Sequence, residues 1–387
     1  MSKKIFIIGG GASGILCALK LAEKGASVTL AERSDRIGKK LLASGNGKCN
    51  LSNLNLSASD YNSAFVASII DRFPPQRIIE EFSSLGLLCK ADGEGRVYPY
   101  SESATSLLNV LLQRLNERRV NILCDCFVEK ITRNGNGFNI STTKGEFAAD
   151  TVVLASGSDA TSGCNSHSLV ADFSHTVTPI RYAIAPLLSC DVKGANGVRA
   201  KVNAQMKIDG YIVMSEKGEL LFKDGAISGI LAFRLSSMLA RRKQFKSCEV
   251  ILDFVPDKSQ EQLAQFIYDN CSAIAPLEGI LHKALAYNVL SKIPMDRSLI
   301  MSQKKAYDIA RACKNYTVKI DGVGGRSNAQ VACGGIALDG IDPYSLQSIF
   351  CKGLYIIGEV CDVDGLCGGY NLHWAWASAL ACSEDIL

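Results

Sequence analysis

The chain has 387 residues, 47% of them hydrophobic, and its 42 basic and 38 acidic side chains leave a net charge of +4. This length predicts two to three domains with ample core, and the near-balanced charge, with basic pairs scattered at Lys39-Lys40, Arg118-Arg119, Arg241-Arg242 and Lys304-Lys305, gives no expectation of a nucleic-acid partner. No apolar stretch reaches the length of a membrane span, and the apolar run after Lys3-Lys4 is too short for a signal peptide, so a cytoplasmic protein with no membrane association is expected.

The first element is an apolar strand, Ile5 to Ile8, which runs into Gly9-Gly10-Gly11-Ala12-Ser13-Gly14. A helical pattern follows from Ile15 to Lys24, Gly25 ends it, and a second apolar run, Val28 to Ala31, closes on Glu32-Arg33. This is the dinucleotide fingerprint in its strand–turn–helix–strand frame. Gly9 permits the tight turn, Gly11 lets a pyrophosphate approach the backbone, and Gly14 lets the helix pack closely on the strand. The pyrophosphate then faces the free N–H groups at the helix N-terminus, and Glu32 stands where an acid holds a ribose hydroxyl.

A loop rich in Gly, Ser, Asn and Lys spans Arg36 to Asn53. Helical patterns occupy Ser63–Phe73, Gln76–Leu85 and residues 103–118. Alternating strands follow at Asn121–Val128 and Phe138–Thr142, and then a buried strand from Thr151 runs into Gly157. The character changes after residue 188. Short alternating segments at Lys201–Ile208, Tyr211–Met214 and Glu219–Phe222, with turns at Asp209-Gly210 and Lys217-Gly218, predict a small β-barrel over about 189–255. Helical patterns at Gln260–Cys271, Leu281–Lys292 and Gln303–Cys313 place a helical part at about 256–315. A returning strand, Gly353 to Ile357, again ends in a glycine and an acid, Gly358-Glu359. The expected fold is α/β: a discontinuous Rossmann-like FAD-binding domain, residues 1–188 and 331–387, with a barrel-plus-helices domain inserted at 189–330.

Three strand-to-turn elements therefore converge: the fingerprint, Val152–Gly157, and Gly358-Glu359 with the Asp364, Gly368-Gly369-Tyr370-Asn371 turn and a helix from about Leu372. NAD needs only the first. The longer FAD uses all three, with glycines such as Gly369 allowing close approach and the last helix's N-terminus facing the flavin pyrimidine.

The chain resembles the BaiN/YhiN-type, aminoacetone oxidase-like family of FAD-dependent oxidoreductases, which has the glutathione-reductase-type FAD fold. The resemblance rests on the run from Asp35-Arg36-Ile37-Gly38 through Ala43-Ser44-Gly45-Asn46-Gly47-Lys48-Cys49-Asn50 to Asn53, on Gly95-Arg96-Val97-Tyr98-Pro99, on Gly218–Phe222 with Ile227-Ser228-Gly229, and on Gly353 through Ala375. It implies FAD contacts at Ala12, Ser13, Glu32, Arg33, Lys39, Lys40, Asn46, Cys49, Val128, Ala155, Gly157, Asp364, Tyr370 and Asn371. Lys39-Lys40 would offer charge to the pyrophosphate, and Val128 would meet the adenine through its backbone. The chain departs from the family at Cys361, Cys367 and His373, and in a shortened stretch between Gly157 and His167.

Fifteen cysteines, most in apolar runs and none in a CxxC pair, read as reduced, buried thiols. Cys124-Asp125-Cys126 falls on a strand pattern without partner ligands, and no metal site is expected. Cys361 and Cys367 read as unpaired thiols near the cofactor, and Cys49 as a packed thiol. No second fingerprint exists to hold NAD(P)H, so a nicotinamide would dock transiently as reductant. The leading expectation is a ping-pong NAD(P)H-dependent flavin reductase of a small electron-poor substrate; by family analogy this is enone-like. Tyr370 and His373 are the candidate proton donors. Two alternatives stay open: an amine oxidase producing hydrogen peroxide, and a flavin-dependent RNA modifier or redox-sensing binding protein.

Overall fold

Three isoleucines and a phenylalanine follow Lys4 in the first strand, Lys4–Ile8, and it is buried from Ile5 onward. Such a strand needs neighbours on both edges and layers on both faces. The computed structural model, which describes residues 2–158, 160, 166–242, 244–294 and 300–387, supplies them. A five-stranded parallel sheet runs in the order 354–356, 151–154, 4–8, 27–31, 121–123. Ile5 pairs in register with Val28 on one side and Thr151 on the other. The chain leaves the first strand toward one side and later returns on the other, so the carboxyl ends of 4–8 and 151–154 flank a topological switch point, the usual ligand crevice of such sheets.

Two helices cover the site end of this sheet. Ala12–Glu23 begins three residues earlier than its apolar periodicity predicts, because Ala12, Ser13 and Gly14 already form its first turn. Tyr370–Ile386 begins two residues before Leu372 and is buried almost all round, with Trp374 and Trp376 in the core. The Trp376 ring meets Phe82 edge-on, centroids 5.0 Å apart. Lysines hold its far end: Lys24 Nζ donates to the carbonyls of Ser383 (3.1 Å) and Leu387 (2.9 Å), and Lys3 Nζ donates to that of Ile386 (3.1 Å). Cations there complement the helix dipole and satisfy its last carbonyls.

The chain divides into two compact units, Met1–Arg181 with Gln330–Leu387, and Tyr182–Ala329. The second unit has its own apolar core and a seven-stranded antiparallel sheet. One segment serves both ends of that sheet: Tyr316–Lys319 pairs with Cys248–Asp253, and Gly322–Val323 pairs with Leu187–Leu188. The two end strands of the sheet are thus consecutive in the chain, separated only by Ile320 and Asp321, which brings the ends of the sheet together. The turn expected at Lys217-Gly218 is absent. Tyr211–Lys223 is one strand of 13 residues. Gly218 is there for packing, since a Cβ would stand 3.2 Å from Leu231 on the covering helix Ile230–Ala240. The strand expected over Asn121–Val128 also breaks. Asp125 adopts φ +47°, and the N–H groups of Asp125 and Cys126 donate to the carbonyls of Ser34 and Glu32 at 2.8 and 2.9 Å. Cys124-Asp125-Cys126 is thus a bend that ties this segment to the end of the second strand. Among the described residues no helix is long and apolar enough to cross a membrane.

Candidate functional site

The glycine turn is shaped by what a Cβ would strike. At Gly9 (φ +110°) it would lie 2.4 Å from the Ala155 carbonyl oxygen, and at Gly14 it would lie 1.9 Å from the Gly9 carbonyl oxygen. Gly9 is imposed by the backbone that continues the 151–154 strand through Ala155, and Gly14 by the Gly9 carbonyl within the turn itself. Gly11 differs: among the described residues nothing lies within 4 Å of its Cβ position. Among the described residues no side chain caps the helix that begins there, so its first N–H groups are left for an anion. At Gly157 (φ +75°) likewise no atom of the described residues lies within 4 Å of a Cβ position.

Glu32 sits at the end of the second strand. Its two carboxylate oxygens accept the N–H groups of Gly10 and Ser34, each at 2.8 Å. These bonds fix the carboxylate beside the turn while leaving each oxygen a lone pair for a hydroxyl donor. Arg33 follows it, half-buried and in no ion pair among the described residues. Val128 is buried two residues past Cys126, whose N–H binds Glu32, so the expected adenosine contacts share one corner.

The lysine pair divides. Lys39 turns to solvent and pairs with Asp35 one helical turn before it. Lys40 reaches across the site and pairs with Glu359. The other Glu359 oxygen accepts from the Ser158 hydroxyl at 2.8 Å and the Ala332 N–H at 3.3 Å. The third turn is thus linked to both the second turn and the Lys39–Ala43 helix. Gly358 sits against the first helix, where a Cβ would meet Ser13 Oγ at 2.4 Å, and its carbonyl accepts the Trp374 indole N–H at 3.1 Å. Of the shortened stretch after Gly157, residues 159 and 161–165 lie outside the described residues.

The Ser44–Asn50 loop carries a run of left-handed backbone. Gly45, Asn46, Gly47 and Cys49 all have φ between +54° and +82°. Asn46 is exposed, whereas Cys49 is fully buried and its thiol is pushed up to about 12, chiefly by burial. It is a packed, protonated thiol. Asn50 is 9% exposed and its side-chain oxygen has no hydrogen-bond partner. It lies 2.8 Å from where a Gly369 Cβ would stand, at the uncapped N-terminus of the last helix.

The 364–373 segment is organised from within. The Asn371 amide accepts from Gly365 N–H (2.9 Å) and donates to Gly365 O (3.0 Å), which closes the loop on itself. Asp364 is buried, and its N–H donates to the Asn62 side chain at 3.0 Å. Tyr370 lies at the helix start with its ring edge-on to Tyr61, 6.3 Å between centroids, and its carbonyl accepts the Tyr61 hydroxyl at 2.8 Å. His373 is different from its expectation as a proton donor. It has no exposed surface, its Nε2 donates to the Phe73 carbonyl at 2.9 Å, and its Nδ1 accepts from Ser52 Oγ at 2.8 Å. Burial lowers its pKa to about 4. It is a neutral core imidazole with both nitrogens occupied, which corrects that assignment. Cys361 is also fully buried, its thiol raised by burial and directed at the Ile356 carbonyl.

An HI0933-like protein Rossmann domain model matches residues 3–385. The chain belongs to the HI0933-like family. Members of this BaiN/YhiN-type family are FAD-dependent oxidoreductases, and this protein is one. Its cofactor is FAD. The open space at Gly11, the two uncapped helix N-termini and the unpartnered buried Asn50 amide suit a dinucleotide whose far end is a hydrogen-bonding ring. This HI0933-like chain is 34% identical over 401 residues to the 3-dehydro-bile acid delta(4,6)-reductase of Clostridium scindens, covering 97% of each chain. It is 25% identical over 400 residues to the ribosomal RNA dihydrouridine synthase of Escherichia coli, covering 98% of this chain and 97% of that one. Among solved structures, the 3-ketosteroid delta1-dehydrogenase of Sterolibacterium denitrificans matches with a TM-score of 0.53 at 13% identity, covering 100% of this chain and 99% of that one. That likeness shows the fold. Sequence reading missed Asn50, which stands next to Cys49 in the recognised motif, and Ser158, which directly follows Gly157. Their residue types carry no signal; only the fold brings them to the site.

Proposed function

We propose that this protein reduces a carbon–carbon double bond conjugated to a carbonyl in a small organic substrate, using NAD(P)H in a ping-pong sequence. The observation that carries this reading is the 34% identity, over 97% of both chains, to a reductase whose name describes an unsaturated 3-oxo bile acid. When bound, FAD supplies a hydride acceptor and donor at its N5. The chain's own residues bind and orient. Glu32 holds a ribose hydroxyl, the backbone at Gly11–Ser13 meets the pyrophosphate, and Glu359, anchored by Lys40 and Ser158, faces the polar chain between them. Tyr370 is the proton donor of this reading, since His373 has no free nitrogen.

A second reading is reduction of a uracil base in RNA, whose C5=C6 bond is also conjugated to a carbonyl. The two units differ in charge in its favour. Residues 182–329 carry 21 basic and 14 acidic side chains, against 21 and 24 in the rest of the chain. A whole-chain charge of +4 hides this asymmetry.

Anaerobic stopped-flow with NADH and NADPH tests the donor half-reaction, and a panel of 4-en-3-one and 4,6-dien-3-one steroids, simple enones and uridine-containing RNA tests the acceptor. The first reading expects bleaching by a nicotinamide and reoxidation by an enone. Reoxidation by RNA alone would replace it with the second. Failure of both nicotinamides, with reduction by an amine and release of peroxide, would overturn both.

A further inference from the structure

Buried amide side chains almost always find hydrogen-bond partners, because leaving one unpaired away from water costs free energy. Asn50 breaks this rule. It is 9% exposed, and its Oδ1, with almost no exposed surface, has no hydrogen-bond partner among the described residues. The strained loop that carries it does not relax to satisfy it: Cys49, just before it, is held at φ +57°. The loop and the last helix are closely fitted here. A Cβ on Gly45 would stand 2.9 Å from Asn50 N, and a Cβ on Gly369 would stand 2.8 Å from Asn50 Oδ1 and 2.3 Å from the Ser52 carbonyl oxygen. Gly369 is the N-cap of the 17-residue helix Tyr370–Ile386, and no side chain caps that terminus. The unpaired carboxamide therefore lies at the positive end of a long buried helix.

A carboxamide offers one acceptor and one donor side by side. The complementary ligand edge sets an N–H beside an acceptor. FAD has two such edges, the pyrimidine N3–H with its C2 and C4 carbonyls and the adenine N6–H with N1 or N7, while the phosphates have none. The adenosine end belongs with Glu32 and Val128, so the edge left for Asn50 is the imide of the pyrimidine. We propose that Asn50 is a flavin-positioning residue whose carboxamide pairs with this imide edge at the N-terminus of helix Tyr370–Ile386. Asn50 fixes the pyrimidine end of the ring system, and the helix terminus favours electron density there. The inference rests on FAD as the cofactor and not on which substrate is reduced.

The test compares holoenzyme with Asn50→Ala and Asn50→Asp variants, using FAD and N3-methyl-FAD, which lacks the imide N–H. Wild type is expected to bind N3-methyl-FAD about tenfold more weakly than FAD, the scale of one lost buried hydrogen bond. Asn50→Ala is expected to release FAD about tenfold faster and to bind the two cofactors equally. Asn50→Asp keeps the shape and an acceptor, so it should retain FAD while its added negative charge moves the flavin midpoint potential to a more negative value. Equal affinity of wild type for both cofactors would overturn the proposal, as would undiminished discrimination in Asn50→Ala. If the alanine variant does not fold, an unchanged midpoint potential in Asn50→Asp overturns it instead, because a purely structural amide would leave the potential where it was.

Discussion

Lys40 and Glu359, 319 residues apart in the chain, form an ion pair across the site, and Glu359 also accepts from Ser158 and Ala332. Two of the three cofactor turns and the Lys39–Ala43 helix are thereby joined through one carboxylate. Glu359→Gln keeps an acceptor for Ser158 and Ala332 but removes the partner of Lys40. It should cost about 1–2 kcal/mol, reduced from the buried-pair value by the partial exposure of the lysine. The expected outcome is a melting temperature lower by a few degrees and measurably faster FAD loss, read by differential scanning fluorimetry and flavin release. An unchanged release rate would remove Glu359 from the cofactor's surroundings.

Gly11 and Gly14 separate cofactor binding from folding. At Gly14 the obstacle to a Cβ is backbone that cannot move aside, so Gly14→Ala should destabilise the apoprotein by about 3 kcal/mol or more. At Gly11 no atom of the described residues lies within 4 Å of a Cβ position. Gly11→Ala should therefore leave apoprotein melting within about 0.5 kcal/mol of wild type and still lose most of its FAD. Thermal melts with and without cofactor, together with flavin stoichiometry, distinguish the two. Full FAD content in Gly11→Ala would show that the pyrophosphate does not pass there.

The His373 imidazole makes folding stability depend on pH. Its pKa falls from 6.5 to about 4 in the folded protein, so between those values the unfolded chain binds more protons. Stability is then fully present above pH 6.5 and is lost as pH falls toward about 4, by up to about 3 kcal/mol from this group. Burial lowers His175 as well, so the wild-type slope has a second contributor. His373→Gln keeps a donor and an acceptor at the site. It should flatten part of the acid slope in denaturant titrations and leave reduction rates near neutral pH unaltered. A large loss of rate in that variant would return His373 to the chemistry.

The Cys49 and Cys361 thiols should be chemically silent. Cys49 is held at about 12 and Cys361 is raised further by complete burial. Cys190, by contrast, is exposed, and its neighbour Asp321 raises it. Alkylation followed by peptide mass spectrometry should label Cys190 in the native protein and reach Cys49 and Cys361 only after denaturation. Native labelling of Cys361 with loss of flavin reduction would point to a thiol relay.

The fingerprint and the three strand-to-turn elements were legible because their constraints are local. Gly9 and Gly14 are dictated by backbone clashes within a few residues or across one strand pair, and the period-2 and 3.6 patterns mark the elements around them. His373, Asn50 and Lys40 were not legible for the opposite reason. A histidine near a glycine-rich turn reads as reactive until Phe73 and Ser52, distant in sequence, are seen to occupy both nitrogens. A lysine in a cofactor loop gives no sign in the sequence that Glu359, 319 residues on, pairs with it. Gly218 misled in another way. A glycine that makes room for Leu231 looks, in one dimension, like a turn.

The strand order has a consequence for how the protein acquires its cofactor. The central strand 4–8 gains its second neighbour only from residues 151–154, and that strand gains its own from 354–356, beyond a unit with a separate core. Pairings this distant in sequence are slow to form. Flavin capture should thus be among the last events of folding, so quenching of free FAD fluorescence during refolding would report the closing of the sheet and not the chain's initial collapse.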